Sequence, residues 1–288
     1  MTDALNTNST PGTATTPNNR QRDALARLMA DRTRPTLPGP ISNVLTFGWR
    51  ALLKIKHVPE QLFDVLVTPI MFTVMFTYLF GGALAGSTDA YLNFLLPGIL
   101  AQTVVFTTIY TGMTLNTDIH KGIYDRFKSM PVWHPSPLVG AMAGDVIRYT
   151  ASAVIVFFIG MIMGYRTEAG LFGIIQAVLL LNLFAFGISW VFTTIGLLMR
   201  TPGAVMTLSW LFLMPVTFAS NIFVDPSTMP GWLQSVISVN PVAHLVTALR
   251  AVLEGNATLP VIAIALIAPA ILLAIFGPLT MLLYRRQR

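Results

Sequence analysis

Residues 171–199 read LFGIIQAVLLLNLFAFGISWVFTTIGLLM, and this stretch decides the fold. It contains no Asp, Glu, Lys or Arg. An α-helix needs about 20 apolar residues to cross a hydrocarbon core of roughly 30 Å, so a helix over this stretch would cross a bilayer with some tilt. Other segments meet the same requirement. The sequence therefore predicts an all-α integral membrane protein with six transmembrane helices, at 62–80, 92–113, 146–165, 171–199, 205–223 and 260–283.

The composition of the whole chain agrees with a lipid environment. Of its 288 residues, 54% are hydrophobic and 10% are charged, whereas soluble proteins carry about a quarter charged residues. The absence of cysteine excludes disulfides and thiolate metal sites. The net charge of +6 could suggest nucleic acid, but the basic residues gather on one side of the predicted spans. No nucleic-acid partner is expected.

Lysine and arginine residues set the predicted orientation, because cytoplasmic loops of membrane proteins are enriched in them. With a cytoplasmic N-terminus, sixteen of the eighteen basic residues lie inside, and only Arg166 and Arg250 lie outside. We therefore expect a multi-pass protein of the plasma membrane with both termini in the cytoplasm. The inside residues are Arg20, Arg22, Arg27, Arg32, Arg34, Arg50, Lys54, Lys56, Lys121, Arg126, Lys128, Arg148, Arg200, Arg285, Arg286 and Arg288.

The region before the first span divides into a tail and an interfacial helix. Residues 1–40 are polar and rich in Thr, Asn and Pro, and we expect a disordered cytoplasmic tail there. Residues 41–57 place Trp49 and other apolar side chains on one helical face and polar side chains on the opposite face. This pattern is typical of an amphipathic helix lying in the membrane interface. Residues 41–288 then form a single transmembrane domain.

Two connections between the spans are longer than a turn. The inner connection, 114–145, contains a second amphipathic pattern over 118–130. The outer connection, 224–259, contains a moderately apolar run at 242–253. That run is too short and too polar to cross a bilayer, which favours a re-entrant or surface helix.

The sequence contains no catalytic or nucleotide-binding motif that we recognise. No lysine follows the glycines of a P-loop, and neither HExxH nor GxSxG occurs. Asp145 and Arg148 are three residues apart at a helix start, which favours a local ion pair over a catalytic dyad. The chain is therefore not expected to be an enzyme. If it is an ATP-driven pump, the ATPase must be another chain.

Few charged residues enter the predicted spans, and this bears on ion-coupled transport. Secondary carriers usually need carboxylates or unwound polar segments inside the membrane as ion sites. Only Asp64 is a candidate here, and it lies near the cytoplasmic edge. Interfacial solvation or helix capping is the favoured interpretation of Asp64.

A stripe of polar residues follows the second predicted span. Threonines recur there at helical spacing, with a glutamine beside the first. Two interpretations remain open, namely hydrogen bonding between packed helices and a weakly polar wall of a transport path. Phenylalanines of the first span would add a surface suited to amphipathic, polycyclic molecules. The candidate path residues are Phe72, Phe76, Gln102, Thr103, Thr107 and Thr111.

Four stretches of the sequence resemble a known family. They are WR and KHVPEQ within 49–61, FTYLFGGALAG at 76–86, DRFKSMPVW at 125–133, and NPVAH at 240–244 followed by Leu249, Arg250 and Gly255. In this order they resemble the type-2 ABC exporter permeases, and specifically their daunorubicin/doxorubicin-resistance (DrrB-like) branch. The resemblance extends over 41–288.

This resemblance implies six spans, an N-terminal connecting helix at 41–57, a cytoplasmic coupling helix at 118–130 and an extracellular re-entrant helical pair at 229–254. It also implies a homodimer of permeases around a central path, docked to two copies of a separate ABC ATPase. ATP and Mg²⁺ would be used by that ATPase, while the permease itself is expected to bind no cofactor or metal. The residues implied to contact the ATPase are Asp118, Ile123, Tyr124, Asp125, Arg126 and Phe127.

Residues and resemblance together predict the permease of an exporter that moves an amphiphilic, drug-like or lipid-like molecule out of the cell. A lipid or polysaccharide exporter of the same family is one alternative, and a secondary carrier is another. The sequence does not identify the substrate, because one fold hosts many cargoes.

Overall fold

The computed structural model describes residues 39, 42, 46–50, 53, 59–123 and 136–286, with the backbone alone for 59–66. Over these residues the secondary structure is helical, without strands. In chain order the elements are α1 (Pro59–Ala85), α2 (Thr88–Thr107), α3 (Ile109–His120), α4 (Ser136–Ile162), α5 (Gly170–Leu198), α6 (Pro202–Phe218), a 3₁₀ turn (Pro226–Thr228), α7 (Gly231–Ser238), α8 (Pro241–Glu254) and α9 (Leu259–Arg286).

Side-chain caps fix where several helices begin. The Ser87 hydroxyl accepts a hydrogen bond from the amide of Ala90 at 3.2 Å, at the start of α2. The Thr201 hydroxyl accepts from the amide of Ala204 at 3.2 Å, at the start of α6. Both interactions satisfy a backbone donor that has no partner within its own helix. At the other end of a helix, α8 stops at Gly255, whose φ of 77° is a left-handed conformation that glycine adopts without strain.

Helices α2 and α5 form the centre of the bundle, while α1 and α9 lie at its edge. Helix α2 packs against α1, α4 and α8, and α5 packs against α3, α4, α8 and α9. Of the 18 most apolar consecutive residues in Thr88–His120, 83% are buried. For the corresponding stretch of Leu259–Arg286 the buried share is 11%. The outer faces expose large apolar side chains, such as Ile271 and Ile275. Hydrocarbon is the solvent that suits such faces.

Glycines bring α3 and α5 into close contact. A Cβ atom on Gly112 would overlap with the carbonyl group of Phe192, and one on Gly196 would overlap with the carbonyl group of Gly112. The two backbones therefore touch at a crossing where only glycine fits, as is common between membrane helices.

Five of the six predicted spans coincide with helices that are long and apolar enough to cross a membrane, and the sixth, 205–223, coincides with the shorter apolar helix α6. The described residues contain five helical segments of this kind, or six if the bent pair α7–α8 counts as one. The predicted span 205–223 is wrong at its C-terminal end, because α6 is a 17-residue helix that stops at Phe218. Residues 219–224 do not continue the helix, because Tyr91 of α2, Asn240 just before α8 and Arg250 of α8 bind carbonyl groups of this segment, as described below. Helix α4 begins at Ser136, ten residues before the predicted span 146–165.

The predicted segments outside the spans are described only in part. Of the connecting helix at 41–57, residues 42, 46–50 and 53 are described and helical, and the tail before Gly39 lies outside the described residues. Helix α3 ends at His120, and Gly122, with φ of 64°, breaks the chain direction after it. Asp118 therefore belongs to α3 and not to a separate helix starting at 118. Within 229–254, α7 and α8 meet at 78°.

Candidate functional site

A cavity of about 180 Å³ lies between α1, the α2–α3 segment and α6. It brings together four of the six residues proposed for a transport path, Phe72, Gln102, Thr103 and Thr107. The complete lining is Thr68, Pro69, Phe72, Ile99, Gln102, Thr103, Phe106, Thr107, Ile109, Tyr110, Met206 and Trp210.

Aromatic side chains from several helices line this cavity and continue beyond it. The rings of Phe106 and Trp210 lie 4.8 Å apart between centroids, at 57°. Phe76 is not part of the lining, but its ring stacks on Phe72 with the centroids 5.7 Å apart. It also lies 4.7 Å from the ring of Phe223. The aromatic surface predicted for the first span is thus part of a larger cluster to which the segment after α6 contributes.

The threonine hydroxyls that face the cavity are hydrogen-bonded within their own helix. Thr103 donates to the carbonyl of Ile99 at 2.7 Å, and Thr107 donates to the carbonyl of Thr103 at 2.7 Å. Neither of these bonds joins two helices, so hydrogen bonding across a helix interface does not explain this half of the stripe.

Thr111 lies elsewhere, in a buried polar network between α3 and α4. Its hydroxyl donates to the Asp145 carboxylate at 2.5 Å and lies 2.8 Å from the hydroxyl of Tyr149. The Asp145 carboxylate also pairs with Arg148, with 2.8 Å between Oδ1 and Nη2. The local ion pair predicted from the sequence is therefore confirmed, and here Thr111 serves helix packing.

The end of α3 is held by two neighbours. The side chain of Asn116 donates to the carbonyl of Gly196 at 2.8 Å and to that of Met199 at 2.7 Å, at the end of α5. The carboxylate of Asp118 lies 4.0 Å from the guanidinium of Arg50. The sequence does not single out Asn116, because one amide near the end of a span does not form a recurring motif.

The remaining residues implied to contact an ATPase lie beyond this point. Ile123 follows the break at Gly122 and is half-buried. Tyr124, Asp125, Arg126 and Phe127 lie outside the described residues.

Arg250 of α8 joins three parts of the bundle. Its guanidinium donates through Nε and Nη2 to the carbonyl of Phe94 in α2, at 3.2 and 3.0 Å. Nη2 also donates to the carbonyl of Asn221 at 2.8 Å. The guanidinium carbon lies 3.8 Å from the centroid of the Phe94 ring, which adds a cation–π contact. Only the planar fork of arginine can make this set of contacts at once.

Two further side chains hold the segment that follows α6. The Asn240 amide donates to the carbonyls of Val216 at 2.7 Å and Ala219 at 2.6 Å, which are free because the helix ends there. The Tyr91 hydroxyl donates to the carbonyl of Phe223 at 2.9 Å. Together with Arg250, these bonds place the Phe223 ring on the aromatic cluster. In the sequence, Asn240 and Arg250 stand out as part of the motif at 240–255, and Arg250 also as one of the two basic residues expected outside.

A second cavity, of about 280 Å³, lies between α2, the α4–α5 connection and the end of α8. Charged side chains of both signs line it, including Arg166, Glu168 and Glu254. Burial, and to a lesser extent the charge of Glu254, raises the pKa of Tyr165, which also lines this cavity, to about 12. A lining of this kind does not suit an apolar molecule. Across the described ranges, no group of three or more His, Asp or Glu could hold a metal ion.

The described residues thus form a bundle of membrane-length helices with an aromatic cavity between them. Residues 42–253 match the ABC-2 type transporter family. The chain belongs to this family, and the resemblance found in the sequence is confirmed.

Curated relatives cover most of the chain. It is 44% identical over 281 residues to the daunorubicin resistance ABC transporter permease protein DrrB1 of Streptomyces coeruleorubidus, covering 97% of this chain and 98% of that protein. It is 28% identical to the doxorubicin resistance ABC transporter permease protein DrrB of Mycobacterium tuberculosis (strain ATCC 25618 / H37Rv), covering 66% and 65%. It is 24% identical to the probable multidrug ABC transporter permease YbhR of Escherichia coli (strain K12), covering 68% and 53%.

Family membership fixes the general function. The chain is a membrane permease subunit of an ABC transporter, and this family implies a separate ABC ATPase subunit as its partner. A membrane-spanning protein agrees with the apolar helices of the structure.

Proposed function

We propose that this permease exports an amphiphilic molecule with a flat, polycyclic aromatic core, and that the core binds in the cavity between α1, α2–α3 and α6. The observation that carries this proposal is the aromatic wall of Phe72, Phe106 and Trp210 around a cavity of about 180 Å³. Flat rings stack favourably on such walls, and burying them removes apolar surface from water. Daunorubicin and doxorubicin resistance, named for the relatives, fits cargo of this kind.

The proposed orientation places both termini and the 114–145 connection in the cytoplasm, and α7–α8 on the outer side. The distribution of basic residues supports it. Helix α7, with 8 residues, and α8, with 14, are each too short to cross a bilayer alone. Their meeting angle of 78° suits a pair that enters from the outer surface and returns.

For the assembly, we propose two copies of this permease with two copies of the ATPase, embedded in membrane lipid. ATP and Mg²⁺ bind to the ATPase, and this chain holds neither. The coupling segment is 118–130, with Asp118 at its start on α3. The hydrogen bonds of Asn116 to the end of α5 support this role, since they would carry a displacement of α3 into the bundle.

The cavity is tested by removing its aromatic wall. We expect Phe72→Ala and Trp210→Ala each to lower the affinity for daunorubicin about tenfold or more, because each deletes a stacking surface in a desolvated site. The measurement is daunorubicin binding to the purified permease in lipid nanodiscs, together with ATP-driven efflux from proteoliposomes that also contain the ATPase.

Phe158→Ala is the matched control, because Phe158 lies on the outer face of α4 and is 60% exposed. This variant should bind and export like the parent. Unchanged binding and efflux in both wall variants, with normal folding, would show that the cavity is not the cargo site.

A further inference from the structure

The amide of Gln102 is buried near the C-terminal end of α2, without a hydrogen-bond partner among the described residues. Gln102 lines the aromatic cavity and is 4% exposed. Within the described part of the chain, neither its Nε2 nor its Oε1 atom has a partner. The neighbouring Thr103 and Thr107 differ in this respect, since their hydroxyls bind backbone carbonyls of the same helix.

An unsatisfied amide at this position is unfavourable for the empty protein. Removing a polar group from water without replacing its hydrogen bonds costs free energy, and buried side-chain polar atoms normally have a partner. A leucine or methionine would fill the same space without this cost. The glutamine is therefore better explained by a partner that arrives with the cargo than by packing of the empty bundle.

The chemistry of the amide specifies that partner. A glutamine side chain offers two N–H donors and one carbonyl acceptor, side by side in one plane. Its N–H donors are matched by a group with acceptors at the edge of a ring system, such as a ring carbonyl beside a ring hydroxyl. In such a group the hydroxyl proton is bound to the carbonyl, so both oxygens can accept hydrogen bonds from the glutamine N–H groups. Phe72 of α1 and Trp210 of α6 line the same cavity. These rings would contact the faces of a flat molecule, while the amide from α2 would contact its edge.

We propose that Gln102 is a specificity-determining residue that hydrogen-bonds the edge of a polycyclic aromatic cargo. Its side-chain torsions turn the amide towards the cavity when cargo enters. The site then selects aromatic molecules with an adjacent carbonyl and hydroxyl over hydrocarbons of the same size, because the latter leave the amide unpaired. This inference rests on the proposed cargo cavity.

The test compares two tricyclic probes, 1-hydroxyanthraquinone and anthracene. Binding is measured on the full-length permease in nanodiscs, with the signal of protein-free nanodiscs subtracted. The parent should prefer 1-hydroxyanthraquinone at least tenfold. Gln102→Leu should abolish this preference by weakening the binding of 1-hydroxyanthraquinone, with anthracene bound as well as before or better. The melting temperature of the ligand-free variant should stay the same or rise, because an unpaired amide has been removed.

Gln176→Leu is the matched control, since Gln176 lies on α5 and does not line the cavity. It should keep the preference. Gln102→Met, with an unbranched apolar side chain of similar length, replaces the leucine variant if the latter fails to fold. If the preference persists in the folded apolar variant while Phe72→Ala still weakens binding, the role of Gln102 is refuted and the cargo cavity stands. If Phe72→Ala also has no effect, both proposals fall.

Discussion

At the scale of single residues, one sequence pattern places its threonines in two different environments. Thr103, Thr107 and Thr111 follow helical spacing, and one continuous helix would place them on one face. Thr103 and Thr107 line the cavity, whereas Thr111 binds Asp145 of α4. Spacing predicted the stripe, but the neighbour of each threonine depends on how distant helices pack against it.

The glycine crossing of α3 and α5 gives a prediction at this scale. Gly112→Ala would push a methyl group into the carbonyl of Phe192 and force the helices apart. We expect a loss of stability of about 2 kcal/mol or more, as for overpacking in a core. The measurement is the melting temperature of the permease in nanodiscs.

Gly82→Ala provides the control, since a Cβ atom at Gly82 in α1 meets nothing within 4 Å. That variant should be as stable as the parent. A Gly112→Ala protein that melts with the parent would show that the two helices are not in backbone contact.

At the scale of elements, hydropathy predicts the long helices because each must supply enough apolar residues to cross a bilayer. Helices α5 and α9 differ from the predicted spans by only a few residues. The end of α6 could not be predicted, because Asn240 binds carbonyls at the end of the helix and Arg250 binds the Asn221 carbonyl just beyond it only in the folded bundle. The same limit applies to the cavity, since Met206 and Trp210 reach it from a helix far along the chain.

Arg250 supplies the prediction for this scale. Arg250→Lys keeps the charge but loses the fork that binds the Phe94 and Asn221 carbonyls together, as well as the planar contact with the Phe94 ring. Because these bonds place the segment that carries Phe223, we expect a lower melting temperature and several-fold weaker binding of daunorubicin. Arg166→Lys, at an exposed position in the α4–α5 connection, should have little effect on either measurement. Equal results for the two variants would contradict the role of Arg250.

At the scale of the whole molecule, the exposed surface and the cavity define different environments. The outer faces of α1 and α9 present apolar side chains that suit lipid, such as Met71 and Ile267. The cavity instead combines aromatic rings with a buried amide, which suits a molecule that is neither hydrocarbon nor freely soluble in water. Composition alone distinguishes the membrane protein from a soluble one, but the proposed cargo surface depends on the packing of three helices.

The central claim is that cargo occupies the cavity between α1, α2–α3 and α6, and photolabelling measures this occupancy directly. An azido derivative of daunorubicin would be bound to the assembled permease–ATPase complex in nanodiscs and irradiated, and the modified peptides identified by mass spectrometry. We predict adducts within 68–72, 99–110 and 206–210, which excess daunorubicin suppresses. Adducts confined to the lipid-facing helix α9, or labelling that excess daunorubicin leaves unchanged, would contradict the claim.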